Sequence, residues 1–331
     1  MKITILGCGS FGTALAVLLS ANGHQVRLWA RNAETLARIA ATRVNEKYLP
    51  DVSIPASVSL QADLDAALAG CEIAVFAVPA QQFRTALTQA LPFLPPATLL
   101  VNVAKGIEQG SLKRMSEIAA ELAPGWDYVA LSGPSHAEEI GRGLPTTIVA
   151  ASRKMEAAVR VRDAFRNERF RVYTNQDVAG VELGGALKNI IALCAGISDG
   201  LGYGDNARAA LLTRGLAEII RLGVAMGAES ATFAGLSGIG DLIVTGTSRH
   251  SRNYRCGHLI GEGTDPQEAV QAIGMVVEGV YTCYAACEKA RSLGVEMPIT
   301  EGLRRCLEGE ATPRDTITAL MTRAPKDEGQ R

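Results

Sequence analysis

The chain has 331 residues, 47% hydrophobic and 20% charged, with 33 basic against 34 acidic side chains and a formal net charge of −1. That is enough for two domains of ordinary size, and the lack of a broad basic field argues against nucleic acid as a partner. The seven cysteines are odd in number, scattered and free of any C-x-x-C pair, which argues against a disulfide framework and for a reducing cytoplasm.

The N-terminal apolar run is too short for a signal peptide. No uninterrupted apolar stretch approaches the ~20 residues of a membrane span. The first strand, Ile3–Leu6, runs straight into Gly7-x-Gly9-x-x-Gly12, and an alanine- and leucine-rich helix follows over Thr13–Ser20, stopping at Asn22-Gly23. A second strand covers Val26–Ala30. In this strand–turn–helix–strand setting the glycines take on separate tasks. Gly7 permits the tight turn, Gly9 lets a pyrophosphate approach the backbone, and Gly12 lets helix and strand pack closely. The helix N-terminus faces the phosphates with N–H groups and a positive dipole end. An NAD-selective site usually carries Asp or Glu at the end of the second strand. Here Arg31-Asn32 stands there, with Glu34 close behind, so NADP(H) is expected to be accepted and preferred. The competing reading of Arg31 is a solvated surface arginine.

Further strands are expected at Ile73–Val78, Leu99–Ala104, Val129–Ser132, Thr147–Ala151 and Phe170–Thr174. Helices are expected between them at Leu64–Ala69, Phe83–Ala90 and Leu112–Leu122, and residues 42–60 are the least regular part. This alternation predicts an α/β domain over 1–180, a doubly wound parallel sheet of the Rossmann type. After Asp177 strands disappear. Apolar helical segments at Val181–Ile197, Asn206–Met226, Ser230–Leu236, Arg252–Gly261, Pro266–Gly274, Val280–Leu293 and Met297–Leu307 predict an all-α domain over 181–331, with a frayed polar end at Ala324–Arg331.

Ligands of such sheets bind at the carboxyl ends of the strands. One strand ends in Lys105-Gly106, another in Gly133-Pro134-Ser135-His136-Ala137. Ser135 reads either as an N-cap, with Glu138 completing a capping box, or as a substrate contact. In the helical half, Lys188 is the one cation in a long apolar helix, beside Asn189. Burial would lower its pKa and fit it for acid–base chemistry near neutrality; the alternative is a snorkelling surface lysine. A glycine-rich loop carries Asp199 and Asp205, and Arg214 and Glu218 lie at i,i+4 as a solvated ion pair would. Asp241 sits in another glycine-rich turn. Ser251-Arg252-Asn253 opens a predicted helix, where a guanidinium, an amide and helix N–H groups suit a phosphate monoester. Cys283 and Cys287, four apart, with His258 do not make a metal site; packing cysteines are the better reading, and no metal is expected.

These residues carry a family resemblance. The segments GCGSFGTALA (7–16), NVAKGIE (102–108), LSGPSHAEEI (131–140), ELGGALKNIIALCAGISDGLGYGDNARAALLTRGLAEI (182–219), FAGLSGIGDL (233–242), SRNYRCG (251–257), VVEGVYT (276–282) and EMPIT (296–300) resemble the bacterial-type NAD(P)-dependent glycerol-3-phosphate dehydrogenases over essentially the whole chain. The resemblance implies an enzyme that reduces dihydroxyacetone phosphate with NADPH or NADH to sn-glycerol 3-phosphate for glycerophospholipid synthesis. It implies Lys188 as catalytic acid–base, and Lys105, Gly133, Ser135, Asp241, Ser251, Arg252 and Asn253 as substrate contacts. It also implies Ser10, Phe11, Arg31, Ala137, Val276 and Glu278 as cofactor contacts beside the glycines, with Lys105 and Arg252 near both ligands and Tyr48 a weaker candidate. One departure is Gly246, where the family often has cysteine. Two rivals remain: another two-domain β-hydroxyacid or sugar dehydrogenase, against which the phosphate site and Lys188-Asn189 weigh, and a non-enzymatic NADPH sensor, which needs no such lysine. The sequence leaves oligomeric state open, a homodimer included.

Overall fold

In the computed structural model, residues 1–324 are described; all but the first residue of the expected frayed end lies outside them. The chain forms two compact units. One contains Met1–Ala104 and Met115–Val178; the other contains Lys105–Arg114 and the residues from Ala179 onward.

The first unit is built on β1 (Lys2–Leu6), β2 (Gln25–Trp29), β3 (Val44–Asn45), β4 (Leu49–Ser53), β5 (Ser59–Gln61), β6 (Ile73–Phe76), β7 (Leu99–Asn102), β8 (Tyr128–Ser132), β9 (Thr146–Ala151) and β10 (Phe170–Asn175). Eight of these form one sheet in the order β10-β9-β8-β7-β6-β1-β2-β5. Its helices are α1 (Ser10–Ala21), α2 (Ala33–Thr42), α3 (Leu64–Leu68), α4 (Phe83–Ala90), α5 (Met115–Leu122), α6 (Ala137–Gly141) and α7 (Met155–Phe165). The central strands β6 and β7 are buried at every residue, which is why they read as unbroken apolar runs. β1 has β2 on one side and β6 on the other, both parallel. The chain therefore winds away from β1 in two directions, and the carboxyl end of β1 is the switch point where such sheets bind ligands.

Three features of this unit differ from expectation. β9 runs antiparallel to β8, and β10 is parallel to β9, so the last two strands oppose the rest. A parallel neighbour needs a crossover back along the sheet. The β8–β9 connection holds only the five-residue α6 and returns at the same end, whereas the eleven-residue α7 supplies a full crossover from β9 to β10. Second, an unexpected helix, α2, capped by Asn32 accepting from Thr35 N at 3.0 Å, precedes the irregular region, which itself contains a small antiparallel β3–β4 ribbon. Third, Lys105–Arg114 groups with the helical unit and not with the sheet: Ile107 is fully buried in the helical core.

The second unit contains α8 (Val178–Gly200), α9 (Asp205–Ala225), α10 (Asp241–Thr247), α11 (Arg252–Gly261), α12 (Pro266–Ile273), α13 (Glu278–Leu293), α14 (Pro298–Leu307) and α15 (Pro313–Met321). The segment expected as helix at Ser230–Leu236 is a 3₁₀ turn, followed by a π turn over Leu236–Gly240 that leads into α10. α15, not expected, starts at a Thr312 cap with Pro313 at its first position. α8 is long and apolar enough by length and composition to cross a membrane, but 89% of its most apolar window is buried. Its apolarity is that of a core helix with neighbours all round. Cys283 and Cys287 are buried in the same core.

Glu218 corrects another expectation. It is buried, not paired with Arg214 at the surface, and it accepts from Ile299 N at 2.6 Å, Thr300 N at 3.2 Å and Thr300 Oγ1 at 3.0 Å. It thus caps the first turn of α14, whose own N-cap Met297 offers no side-chain acceptor. Burial pushes its carboxyl up despite these donors.

Candidate active site

In the sheet unit, α1 begins at Ser10, three residues earlier than expected, with Gly9 as N-cap. Ser10, Phe11 and Gly12 are therefore its first turn, whose N–H groups have no intrahelical acceptor. Gly7 has φ +117°, and a Cβ there would stand 2.5 Å from Ala77 O; a Cβ on Gly12 would run into Gly7 O. A Cβ on Gly9 would meet nothing within 4 Å, so the space above the helix N-terminus is open. Tight turn, close packing and open approach fit a dinucleotide pyrophosphate. Sequence reasoning missed Asn45, which is buried and donates to Cys8 O at 2.7 Å and Thr13 Oγ1 at 2.8 Å. It braces the turn from β3, and nothing in a local pattern marks a partner so far along the chain.

Arg31 is exposed just past β2, and Tyr48 is half-buried between β3 and β4 with the Lys47 ammonium 5.2 Å from its ring centre. Gly133 follows β8 with φ +136°. Ser135 does not cap α6: His136 holds the N-cap position without a side-chain cap, and Ser135 Oγ donates to Gly133 O at 2.8 Å. The expected capping box is absent because the helix starts at Ala137, one residue too late for it.

The helical unit holds a compact ionic centre. Lys188 Nζ, on α8, donates to Asp241 Oδ1 at 2.6 Å and to Thr245 Oγ1 at 2.6 Å, both on α10. Lys105 Nζ reaches Asp241 Oδ2 at 2.7 Å. The Lys188 and Asp241 side chains are 7% and 1% exposed. Two ammonium groups therefore share one carboxylate in a dry setting, and one proton too many is present for neutrality. Burial, reinforced by Lys105, overcomes the pull of Asp241 and brings the Lys188 pKa down to about 7. Burial works to raise Asp241, but Lys105 and Lys188 outweigh it and hold the carboxyl below its ordinary value. An ammonium has three donors. Two of those on Lys188 are used here, by Asp241 and Thr245. Thr245, not singled out from sequence, also donates to Asp241 O at 2.6 Å. It is fixed by its own helix turn and so fixes the lysine.

An amide relay extends from this centre. Asn189 donates to Lys105 O at 3.3 Å and accepts from Asn253 Nδ2 at 3.0 Å; Asn253 Oδ1 accepts from Gly279 N at 2.8 Å. The Asn253 amide thus links α8 to α13 through one N–H and its oxygen. Ser251 caps α11 by accepting from Tyr254 N at 3.2 Å, and Arg252 is exposed at the first position of that helix. Val276 and Glu278 flank the start of α13. Asp199, from the glycine-rich loop, accepts from Tyr254 OH at 2.5 Å and takes no part in the centre. Gly246 lies on α10, where a Cβ would come 2.7 Å from the tip of Leu212, which fills the room a cysteine would need.

A glycine turn of the dinucleotide-binding pattern in one unit and a buried, ion-paired lysine in the other are features in keeping with the class of nicotinamide-dependent oxidoreductases. The family models for the N-terminus and C-terminus of NAD-dependent glycerol-3-phosphate dehydrogenase match residues 2–158 and 177–318. The glycerol-3-phosphate dehydrogenase [NAD(P)+] of Geobacillus thermodenitrificans is 55% identical over 330 residues, 99% of this chain and 96% of the relative. The crystal structure of glycerol-3-phosphate dehydrogenase from Coxiella burnetii matches with TM-score 0.94 at 39% identity, covering 97% of this chain and 99% of the other. The enzyme from Saccharomyces cerevisiae matches with TM-score 0.82 at 26% identity over 96% and 98%. The chain belongs to the NAD-dependent glycerol-3-phosphate dehydrogenase family.

Proposed function

We propose that this chain reduces dihydroxyacetone phosphate to sn-glycerol 3-phosphate with NADPH, accepting NADH, and that the product feeds glycerophospholipid synthesis in the cytoplasm. The observation that carries the reading is the buried Lys188, 2.6 Å from Asp241 with a pKa of about 7. A lysine poised at neutrality is a proton donor in one direction and a base in the other.

Bound nicotinamide supplies a hydride to the carbonyl carbon. As negative charge grows on the carbonyl oxygen, Lys188 delivers its proton there, while Asp241 and Thr245 keep the amine oriented and the Lys105 ammonium stabilises the charge. Arg252 and the first turn of α11, with Gly133 and Ser135, hold the substrate phosphate and polyol, so that binding energy remote from the carbonyl positions it. The first turn of α1 with Gly7, Gly9, Ser10, Phe11 and Gly12 cradles the pyrophosphate, and Arg31 takes the 2′-phosphate. Tyr48, Ala137, Val276 and Glu278 complete the cofactor contacts. Whether the enzyme works as a homodimer is a question for light scattering. The test is steady-state oxidation of NADPH in the presence of dihydroxyacetone phosphate. Turnover with formation of sn-glycerol 3-phosphate is the expected result, and an enzyme that leaves NADPH untouched overturns the reading.

A further inference from the structure

Lys105 does not reach the ionic centre from a rigid strand. It opens a ten-residue strap, Lys105–Arg114, that leaves the sheet unit, packs with the helical unit and returns. The strap turns tightly: Glu108 N donates to Lys113 O at 3.0 Å and Leu112 N to Glu108 O at 2.9 Å. Leu112 sits at φ +56°, a left-handed conformation that a branched side chain adopts only when its surroundings impose it. The far end carries a buried ion pair, Arg114 Nη1 to Glu182 Oε2 at 3.0 Å, with side chains 8% and 5% exposed. The near end is held by Asn189, which donates to the Lys105 carbonyl. Glu182 and Asn189 lie on one face of α8, about two turns or roughly 10 Å apart. One helix face therefore grips both ends of the strap, and that helix also carries Lys188.

A buried ion pair is a poor way to gain stability, since apolar side chains of similar volume serve as well or better. Its distinctive property is register. We propose that Arg114 and Glu182 are positioning residues, a clamp that sets the strap against α8 so that the Lys105 ammonium meets Asp241 opposite Lys188. This rests on the acid–base role given to Lys188 above. The charged groups facing Lys188 are Asp241 on α10 and Lys105 on the strap. With the clamp open, Lys105 drifts from Asp241, its repulsion of Lys188 is lost and water enters. Both changes raise the lysine's pKa.

The test uses Glu182→Gln and the double variant Arg114→Met/Glu182→Met, with single-turnover hydride transfer from NADPH to dihydroxyacetone phosphate followed across pH. The double variant keeps the net charge and replaces both members of the pair by apolar side chains, so it is expected to stay folded by circular dichroism and thermal melting. Both variants should transfer hydride roughly 10- to 100-fold more slowly, with NADPH affinity unchanged, and the pH at which the rate falls should move upward. The direction is diagnostic in Glu182→Gln. Direct removal of a nearby negative charge lowers the pKa of a lysine, so an upward move requires release of Lys105. A folded double variant with wild-type rate and pH profile overturns the clamp, as does a downward move in Glu182→Gln. Lys188→Ala, run beside them, separates the two failures: if it remains active the acid–base reading falls, whereas inactive Lys188→Ala with unaltered clamp variants removes the clamp alone.

Discussion

The glycine turn and the ionic centre are built in opposite ways. The turn is contiguous backbone: Gly7, Gly9 and Gly12 act through a positive φ, a close approach and an open space, all within six residues. The centre is assembled from side chains far apart in the chain, with Asp241 lying 136 residues from Lys105 and 53 from Lys188. The comparison teaches where each is vulnerable. A backbone site presents N–H groups that no substitution can remove, and its weak points are Cβ atoms. A side-chain site has each role vested in one group, so a single truncation can abolish a step.

The largest expected effect breaks the side-chain region at its centre. Lys188→Ala should lower kcat by roughly 10²–10⁴, the usual worth of a general acid, with NADPH affinity little changed because the dinucleotide turn is intact; a near-normal kcat would pass the proton to Lys105 or water. Next comes the phosphate. Arg252→Ala should cost about 2–5 kcal/mol in kcat/KM for dihydroxyacetone phosphate and erase most discrimination against unphosphorylated dihydroxyacetone, with NADPH binding measured separately. A wild type that reduces dihydroxyacetone as well as its phosphate would refute that site.

Arg31 sharpens the contrast, since in the proposed reading it is the side chain that selects between cofactors whose shared pyrophosphate lies on the backbone turn. Arg31→Asp should weaken NADPH by about 1.5–3 kcal/mol more than NADH. Equal losses in kcat/KM for both cofactors would show that Arg31 is only a surface arginine. The smallest effect lies outside both regions. Glu218→Gln presents an NH₂ where the α14 N–H groups need acceptors, and should lower stability in urea by about 1–3 kcal/mol while kcat of the folded enzyme holds. A large loss of kcat at full stability would give Glu218 a part in the chemistry.

What was legible in the sequence follows the same division. The glycine turn, the apolar strands and the helix beginning at Arg252 are local patterns and were placed closely. Lys188 stood out because a lone cation in an apolar helix has few reasons to be there. Thr245 and Asn45 escaped because their value lies in partners on other elements. Glu218 was misread because i,i+4 spacing to Arg214 says nothing about a helix N-terminus arriving from Ile299. The capping alternative for Ser135 missed by one residue, since α6 starts at Ala137 and His136 holds the N-cap position. The reversal of β9 and β10 was hidden because a short connection reads alike whether it crosses the sheet or folds back. The detachment of Lys105–Arg114 from the sheet unit was invisible for a related reason. A strap's allegiance is decided by Ile107 and Arg114, whose partners lie on elements far along the chain.

The central claim is that a buried lysine, neutral or charged with nearly equal ease, moves the proton. Single-turnover hydride transfer to dihydroxyacetone phosphate, followed as pH is raised through neutrality, reads it directly. Reduction needs the protonated amine, so the rate should be full below the Lys188 pKa of about 7 and fall as pH rises through it. The reverse reaction should show the mirror image. A rate flat through neutrality in both directions, with NADPH bound throughout, would contradict it.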